Sequence, residues 1–189
     1  MITNIIIVIC TIIFIYIRFV SKLEPIDCAM KLGAFYPPNI RENKEYYRFI
    51  TCNFIHTDFI HFFMNAYCIY SLGGFFEALL GTMGYIYLIV FAMLISSLMT
   101  YSASYISYKY DNTITIGASG IFYGYLGAML ALALLLGGGY ADLLYEFLDV
   151  ILINVIFTLI NPRISKTGHL GGALGGFIAI VVLMLLGML

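Results

Sequence analysis

Six stretches of this chain are each long and apolar enough to cross a lipid bilayer, and that fact constrains its fold more than any other. A spanning helix needs about 20 consecutive, mostly apolar residues, and such runs fall near Ile2 to Val20, Phe59 to Leu80, Met83 to Tyr105, Gly120 to Leu136, Leu143 to Ile160 and His169 to Leu189. In hydrocarbon every backbone N–H and C=O must be paired within the protein, so runs of this length are read as helices. With 62% hydrophobic and only 10% charged residues among 189, the chain exceeds the apolar share of a soluble domain, about half. The expected fold is an all-α membrane protein, one domain over residues 1–189 built as a six-transmembrane-helix bundle. The first run has no basic start and no small-residue cleavage site, so it reads as a retained span rather than a signal peptide. The chain is expected to be a multi-pass integral protein of the cell membrane whose direct partner is the lipid bilayer.

Polarity is concentrated in one long loop, residues 21–55, which carries Lys22, Glu24, Asp27, Lys31, Arg41, Glu42, Lys44, Glu45, Arg48 and the Pro37-Pro38 break. A net charge of −1 gives no basic patch for nucleic acid and no acidic tail. All nine Lys and Arg residues, from Arg18 to Lys166, fall at or near one face of the expected bundle. By the positive-inside rule that face is cytoplasmic. The four cysteines have no ligand spacing; Cys10 and Cys68 lie in apolar runs, and a Cys28–Cys52 disulfide requires the long loop to face an oxidising compartment. Three histidines without a His-Glu-x-x-His pattern, and with His56 and His61 on different helix faces, argue against a metal site. No cofactor is expected.

Several polar residues stand where hydrocarbon tolerates them only for cause. His56 and Asp58 precede the second run, and His61 and Asn65 lie four apart within it, one turn from each other on one helix face. Groups of this kind usually face a bundle interior, to bond a neighbouring helix or to serve function. Gly117-Ala118-Ser119-Gly120 places a small hydroxyl where a polar loop becomes the fourth run. Gly120, Gly124 and Ala128 then form a small-residue stripe, and the sixth run carries two more, Gly168/Gly172/Gly176 and Gly171/Gly175/Ala179, with His169 at its start. Close packing of the fourth and sixth helices along such stripes brings Ser119 and His169 to the same end. His61 and Asn65 converge on that end too. A serine hydroxyl needs an adjacent base to become a nucleophile, which His169 can be, and donors around a carbonyl stabilise the oxyanion formed by attack; the Ser119 N–H at a helix start, His61 and Asn65 are such donors. No acidic residue stands where it would orient His169, so the expected arrangement is a Ser-His dyad.

The combination His56-x4-His61-x3-Asn65, Gly73-Gly74-x2-Glu77, Gly117-Ala118-Ser119-Gly120-x2-Tyr123 and Gly168-His169-x2-Gly172-x3-Gly176 resembles the rhomboid family of intramembrane serine proteases, in the same order and over nearly the whole chain. The resemblance implies Ser119 as nucleophile, His169 as general base, an oxyanion hole of His61, Asn65, Ser119 and Gly117, and supporting roles for Tyr123, His56, Gly120, Gly172 and Gly176. Tyr123 would pack beside His169. Single-pass transmembrane proteins are the implied substrates, and a movable fifth span, ending at Asn161-Pro162, the implied gate. The family usually carries Trp-Arg in the first loop where this chain has Tyr47-Arg48. The resemblance also places that loop outside the cytoplasm, opposite to the charge bias. A non-catalytic relative that binds membrane clients would be expected to lack Ser119 or His169. A small transporter should show internal inverted symmetry, and none is evident.

Overall fold

The computed structural model describes residues 1–161 and 164–189; Pro162, with which the expected fifth span closes, and Arg163 lie outside the described residues. Helix α1, Ile2–Ile15, opens on Met1, whose side chain caps nothing. The cap comes from far along the chain: the Glu77 carboxylate accepts the Ile2 N–H (2.6 Å), the Thr3 N–H (3.1 Å) and the Thr3 hydroxyl (2.8 Å). Two of the four orphan N–H groups that every helix start presents are satisfied this way, and α1 is thereby fastened to the helix that carries Glu77. The run continues through a π-helical turn, Tyr16–Val20.

The long polar loop is folded. Helix α2 (Pro25–Leu32) and helix α3 (Pro37–Asn43) both start on proline, whose missing N–H costs nothing at a first helical position, and end on residues with positive φ, Gly33 and Lys44. A short turn, α4 (Arg48–Thr51), follows. Arg48 holds this layer together. It is 4% exposed, and its Nη1 donates to Ala34 O (2.6 Å) and Met30 O (2.9 Å) while Nε pairs with Glu45. That pairing keeps the Glu45 carboxyl below the usual carboxylate range. Phe35 and Thr115 exchange both backbone hydrogen bonds (3.0 and 2.9 Å), stitching the layer to the loop before Ser119.

Where two spans are expected between Phe59 and Tyr105, one helical run, α5 (Phe59–Ser104), is found, broken only at Gly81. At 1.5 Å per residue 46 residues would reach about 70 Å if straight, twice the thickness of a hydrocarbon core. It is not straight. Gly81 has φ 65° and ψ 174°, a combination open almost solely to glycine, and the chain doubles back there. The Tyr85 hydroxyl lies against Gly73, 2.7 Å from where a Cβ would stand, although about 18 Å would separate these residues along a straight helix. Two arms result, 59–80 and 82–104.

After a short turn, α6 (Tyr108–Asp111), helix α7, Ser119–Leu136, runs through the middle of the bundle. Most of its residues are buried, which is why its sequence is apolar on all sides instead of along one stripe. Helix α10, Lys166–Leu185, uses its two glycine stripes on two different neighbours. A Cβ at Gly172 would stand 3.1 Å from Gly120 Cα, and one at Gly176 2.7 Å from Gly124 Cα, so this stripe receives α7. At Gly171 and Gly175 a Cβ would meet Ile95 O (2.7 Å) and Phe91 O (2.6 Å), so the second stripe receives the second arm of α5. Between α7 and α10 lie α8 (Gly139–Glu146) and α9 (Leu148–Ile160), bent by 52° to each other. Thr158 is the only buried residue of α9.

Among the described residues, four helical runs are long and apolar enough to span a membrane, Ile2–Val20, Phe59–Ser104, Ser119–Leu136 and Lys166–Leu185, and the bent pair α8–α9 makes up to five. Cys28 and Cys52 are free, buried thiols in separate apolar clusters.

Candidate active site

Ser119 is the first residue of α7, so the central helix delivers its hydroxyl to the middle of the bundle at one end. The polypeptide just before it is fixed by two backbone donors. Gly117 N–H donates to Cys52 O (3.0 Å) and Ala118 N–H to His56 Nε2 (3.2 Å). His56 is fully buried, and burial, with His61 beside it, pushes its pKa down to about 3; the neutral ring is what an acceptor nitrogen requires. Its Nδ1 is buried as well.

Gly117 itself has φ +112°, a conformation that disfavours any side chain. It also makes room. A Cβ there would stand 2.5 Å from His61 Cε1 and 2.6 Å from His61 Nε2, so the Cε1–Nε2 edge of the His61 ring lies against the glycine. With its N–H engaged by Cys52, Gly117 contributes space to the site instead of a donor. His61 is the third residue of α5, and the Asp58 carboxylate accepts its backbone N–H (2.9 Å), a side-chain cap of the ordinary kind. One turn on, Asn65 Nδ2 donates to His61 O (2.8 Å). His61, Asn65, Ser119, Tyr123 and His169 all line one cavity of about 1110 Å³, whose other walls include loop residues 113–117 and the end of α9.

His169 reaches Ser119 from α10. Its Nε2 lies 2.9 Å from Ser119 Oγ, the separation at which a hydroxyl proton can pass to an imidazole. The ring is held on two further sides. Tyr123, one turn after Ser119, stacks on it with centroids 4.0 Å apart at 20°. On the far edge, Nδ1 lies 2.9 Å from Thr158 Oγ1. Thr158 Oγ1 donates to Asn154 O (2.8 Å) within α9, and the Tyr123 hydroxyl is 2.6 Å from Thr158 Oγ1 and 2.9 Å from Asn154 O.

The starts of α7 and α10 are brought together by Gly120, Gly172 and a residue that the motifs do not include. Ser96 Oγ donates to Gly168 O (2.8 Å) and lies against Gly120, 2.7 Å from the position of a Cβ there. A larger residue at Gly120 would displace the hydroxyl that fixes the first turn of α10. Neither Ser96 nor Thr158 is found by motif spacing. Thr158 does carry a signal, since Asn154 and Thr158 are polar residues four apart in an apolar run, the same i, i+4 pattern that marks His61 and Asn65.

The arrangement can activate a hydroxyl. The Ser119 hydroxyl has a ring nitrogen in contact, that ring is held by a stacked tyrosine and a second hydrogen bond, and the first-turn N–H groups of α7 favour negative charge beside Ser119.

Known proteins are similar to this chain. A Rhomboid domain model matches residues 43–186, well over half of the chain. RHOMBOID-like protein 5 of Arabidopsis thaliana is 31% identical over 157 residues, covering 82% of this chain and 49% of that protein. The rhomboid protease GluP of Bacillus subtilis is 29% identical over 140 residues, 74% of this chain and 26% of GluP, and the putative rhomboid protease YdcA of the same organism is 27% identical over 140 residues, 72% of this chain and 66% of YdcA. The chain spans about half the length of the first curated relatives it matches. With the family model covering α5 to α10 and the similarity extending over four-fifths of the sequence in the first relative, the chain belongs to the rhomboid family.

Proposed function

We propose that this protein is a serine endopeptidase that cleaves other membrane proteins within their transmembrane segments. One observation carries the reading: Ser119 Oγ and His169 Nε2 lie 2.9 Å apart at the wall of a cavity about 1110 Å³ in volume. Hydrolysis inside a membrane needs water at the scissile bond, and a cavity lined by Asn65, Thr158, Ser165 and Ser119 can hold it. In the proposed reaction His169 Nε2 takes the Ser119 proton as the oxygen attacks the substrate carbonyl. His61, Asn65 and the Ser119 N–H face the resulting oxyanion. The imidazolium then gives its proton to the leaving amine, and a water activated by the same nitrogen releases the acyl group and regenerates Ser119.

The arms of α5 on either side of Gly81 count as two spans in this reading and α8–α9 as one, which gives a bundle of six in the cell membrane. Substrates are single-pass membrane proteins whose helices unwind where small or helix-breaking residues expose the backbone. The test is cleavage of a transmembrane reporter by the protein in liposomes. Wild type should cleave, and Ser119→Ala and His169→Ala should lose at least ~10³-fold in rate while remaining folded, as removal of one member of such a pair does. Cleavage that persists in Ser119→Ala would sink the reading.

A further inference from the structure

We infer that Thr158 is a positioning residue for His169, a neutral third member that fixes which ring nitrogen carries the proton. For Nε2 to accept the Ser119 proton it must present a lone pair, so the imidazole proton must sit on Nδ1; which tautomer forms is set by the partner of the other nitrogen. That partner is Thr158 Oγ1, 2.9 Å from Nδ1. A threonine hydroxyl has one proton, and this one goes to Asn154 O at 2.8 Å, the back-bond a helical threonine ordinarily makes. What faces Nδ1 is therefore a lone pair. The Tyr123 hydroxyl, 2.6 Å from the same oxygen and 2.9 Å from Asn154 O, fills one of the two lone pairs of Thr158 Oγ1 and leaves the other for Nδ1–H. Nδ1–H donates to Thr158, Thr158 donates to Asn154, and Nε2 is left unprotonated toward Ser119. In serine proteases with a triad a carboxylate fills this position; here a hydroxyl anchored to a helix carbonyl does so without placing a charge in the bundle, where a charge is costly.

The location of Thr158 adds a second consequence. It is the only buried residue of α9, a helix that otherwise turns exposed apolar side chains such as Ile153, Ile156 and Leu159 outward. The contact that sets the tautomer is also the contact by which α9 docks on the site. When α9 is in place His169 is a base, and when α9 is displaced the tautomer is no longer specified.

The inference rests on the Ser119–His169 reading above, and its test separates the two. Thr158→Val keeps the shape and removes the hydroxyl; Thr158→Ser keeps the hydroxyl. In liposomes the Val variant should show kcat reduced by about 10- to 100-fold with KM within about twofold of wild type, since a tautomer error costs the chemical step and not binding. The Ser variant should retain kcat within about threefold on the same grounds. A Val variant with wild-type kcat, a Ser variant as impaired as the Val variant, or a change confined to KM would each overturn the assignment. A second readout needs no activity: in protein labelled with ¹⁵N-histidine, the His169 ring should show Nδ1 protonated in wild type and lose that preference in Thr158→Val. An Nε2-protonated ring in wild type would overturn the inference. Wild-type cleavage that is abolished by Ser119→Ala but indifferent to Thr158→Val would leave the protease reading standing and remove this one.

Discussion

Replacing Gly117 by alanine perturbs the site at one point whose consequence can be worked out. The new Cβ would stand 2.5 Å from His61 Cε1 and 2.6 Å from His61 Nε2, where carbon atoms in contact prefer about 3.5 Å, so the ring must retreat by about 1 Å. Misplacement of a group by that distance in a preorganised site can cost about 100-fold in rate. The backbone adds its own penalty, since φ of +112° held by a non-glycine residue costs about 1–3 kcal/mol. A domain of this size should then lose a few degrees in Tm and remain folded. The assay is reporter cleavage in liposomes alongside thermal unfolding. Gly117→Ala should lower kcat by about 10- to 100-fold. If the loss runs through His61, adding Gly117→Ala to a His61→Ala protein should cost little more, because the two changes act on one element. Gly117→Ala activity within twofold of wild type, or fully additive losses in the double variant, would refute the reasoning.

The paired glycines of α5 should respond oppositely to alanine. At Gly73 a Cβ would meet Thr3 Cγ2 at 2.6 Å and the Tyr85 hydroxyl at 2.7 Å, whereas at Gly74 the nearest atom is Met1 Cε at 4.0 Å; Gly73→Ala should be destabilising by about 1–3 kcal/mol as an overpacked site, and Gly74→Ala neutral or stabilising by up to ~1 kcal/mol through helix propensity, read from unfolding in detergent. His56 should make stability depend on pH. Its pKa is about 3 in the folded protein against an ordinary 6.5, so its contribution is complete above pH 6.5 and is lost as pH falls toward 3, because the unfolded chain then binds a proton that the folded one refuses, with a limiting slope of about 1.4 kcal/mol per pH unit. His61 lies 5.1 Å away ring to ring, so the measurement is the difference between wild type and His56→Gln. The Tm of wild type should fall more steeply between pH 7 and pH 5; identical slopes would remove His56 from the explanation.

The parts of the fold that are legible in the sequence are those set by one helix at a time. Apolar run length locates the membrane helices, and spacing of four identifies the His61–Asn65 face and the glycine stripes. What a stripe packs against is a property of two helices, and nothing in Gly171/Gly175 as against Gly172/Gly176 announces that one pair meets α5 and the other α7. The break at Gly81 falls between the two expected runs, Phe59 to Leu80 and Met83 to Tyr105; run length does not tell that one residue's φ and ψ make the whole reversal. The long loop reads only as polar, yet Arg48 is charged and buried, its Nη1 used by the carbonyls of Met30 in α2 and Ala34 just after it. The site divides in the same way. Ser119 and His169 stand out by motif, while the room that Gly117 leaves for the His61 ring depends on a φ and a contact that spacing does not carry. Thr158 is overlooked because a search for a charged third member passes over a hydroxyl in an apolar helix.

The most direct test of the central claim is whether Ser119 is an activated nucleophile. Protein in detergent at neutral pH would be treated with a fluorophosphonate, and the intact mass and the modified peptide measured. A single stoichiometric adduct on Ser119, absent from Ser119→Ala and at least ~100-fold slower to form in His169→Ala, is the expected result for a hydroxyl that depends on a base 2.9 Å away. An unmodified Ser119 in protein that is folded by its thermal transition, or labelling at a rate independent of His169, would contradict it.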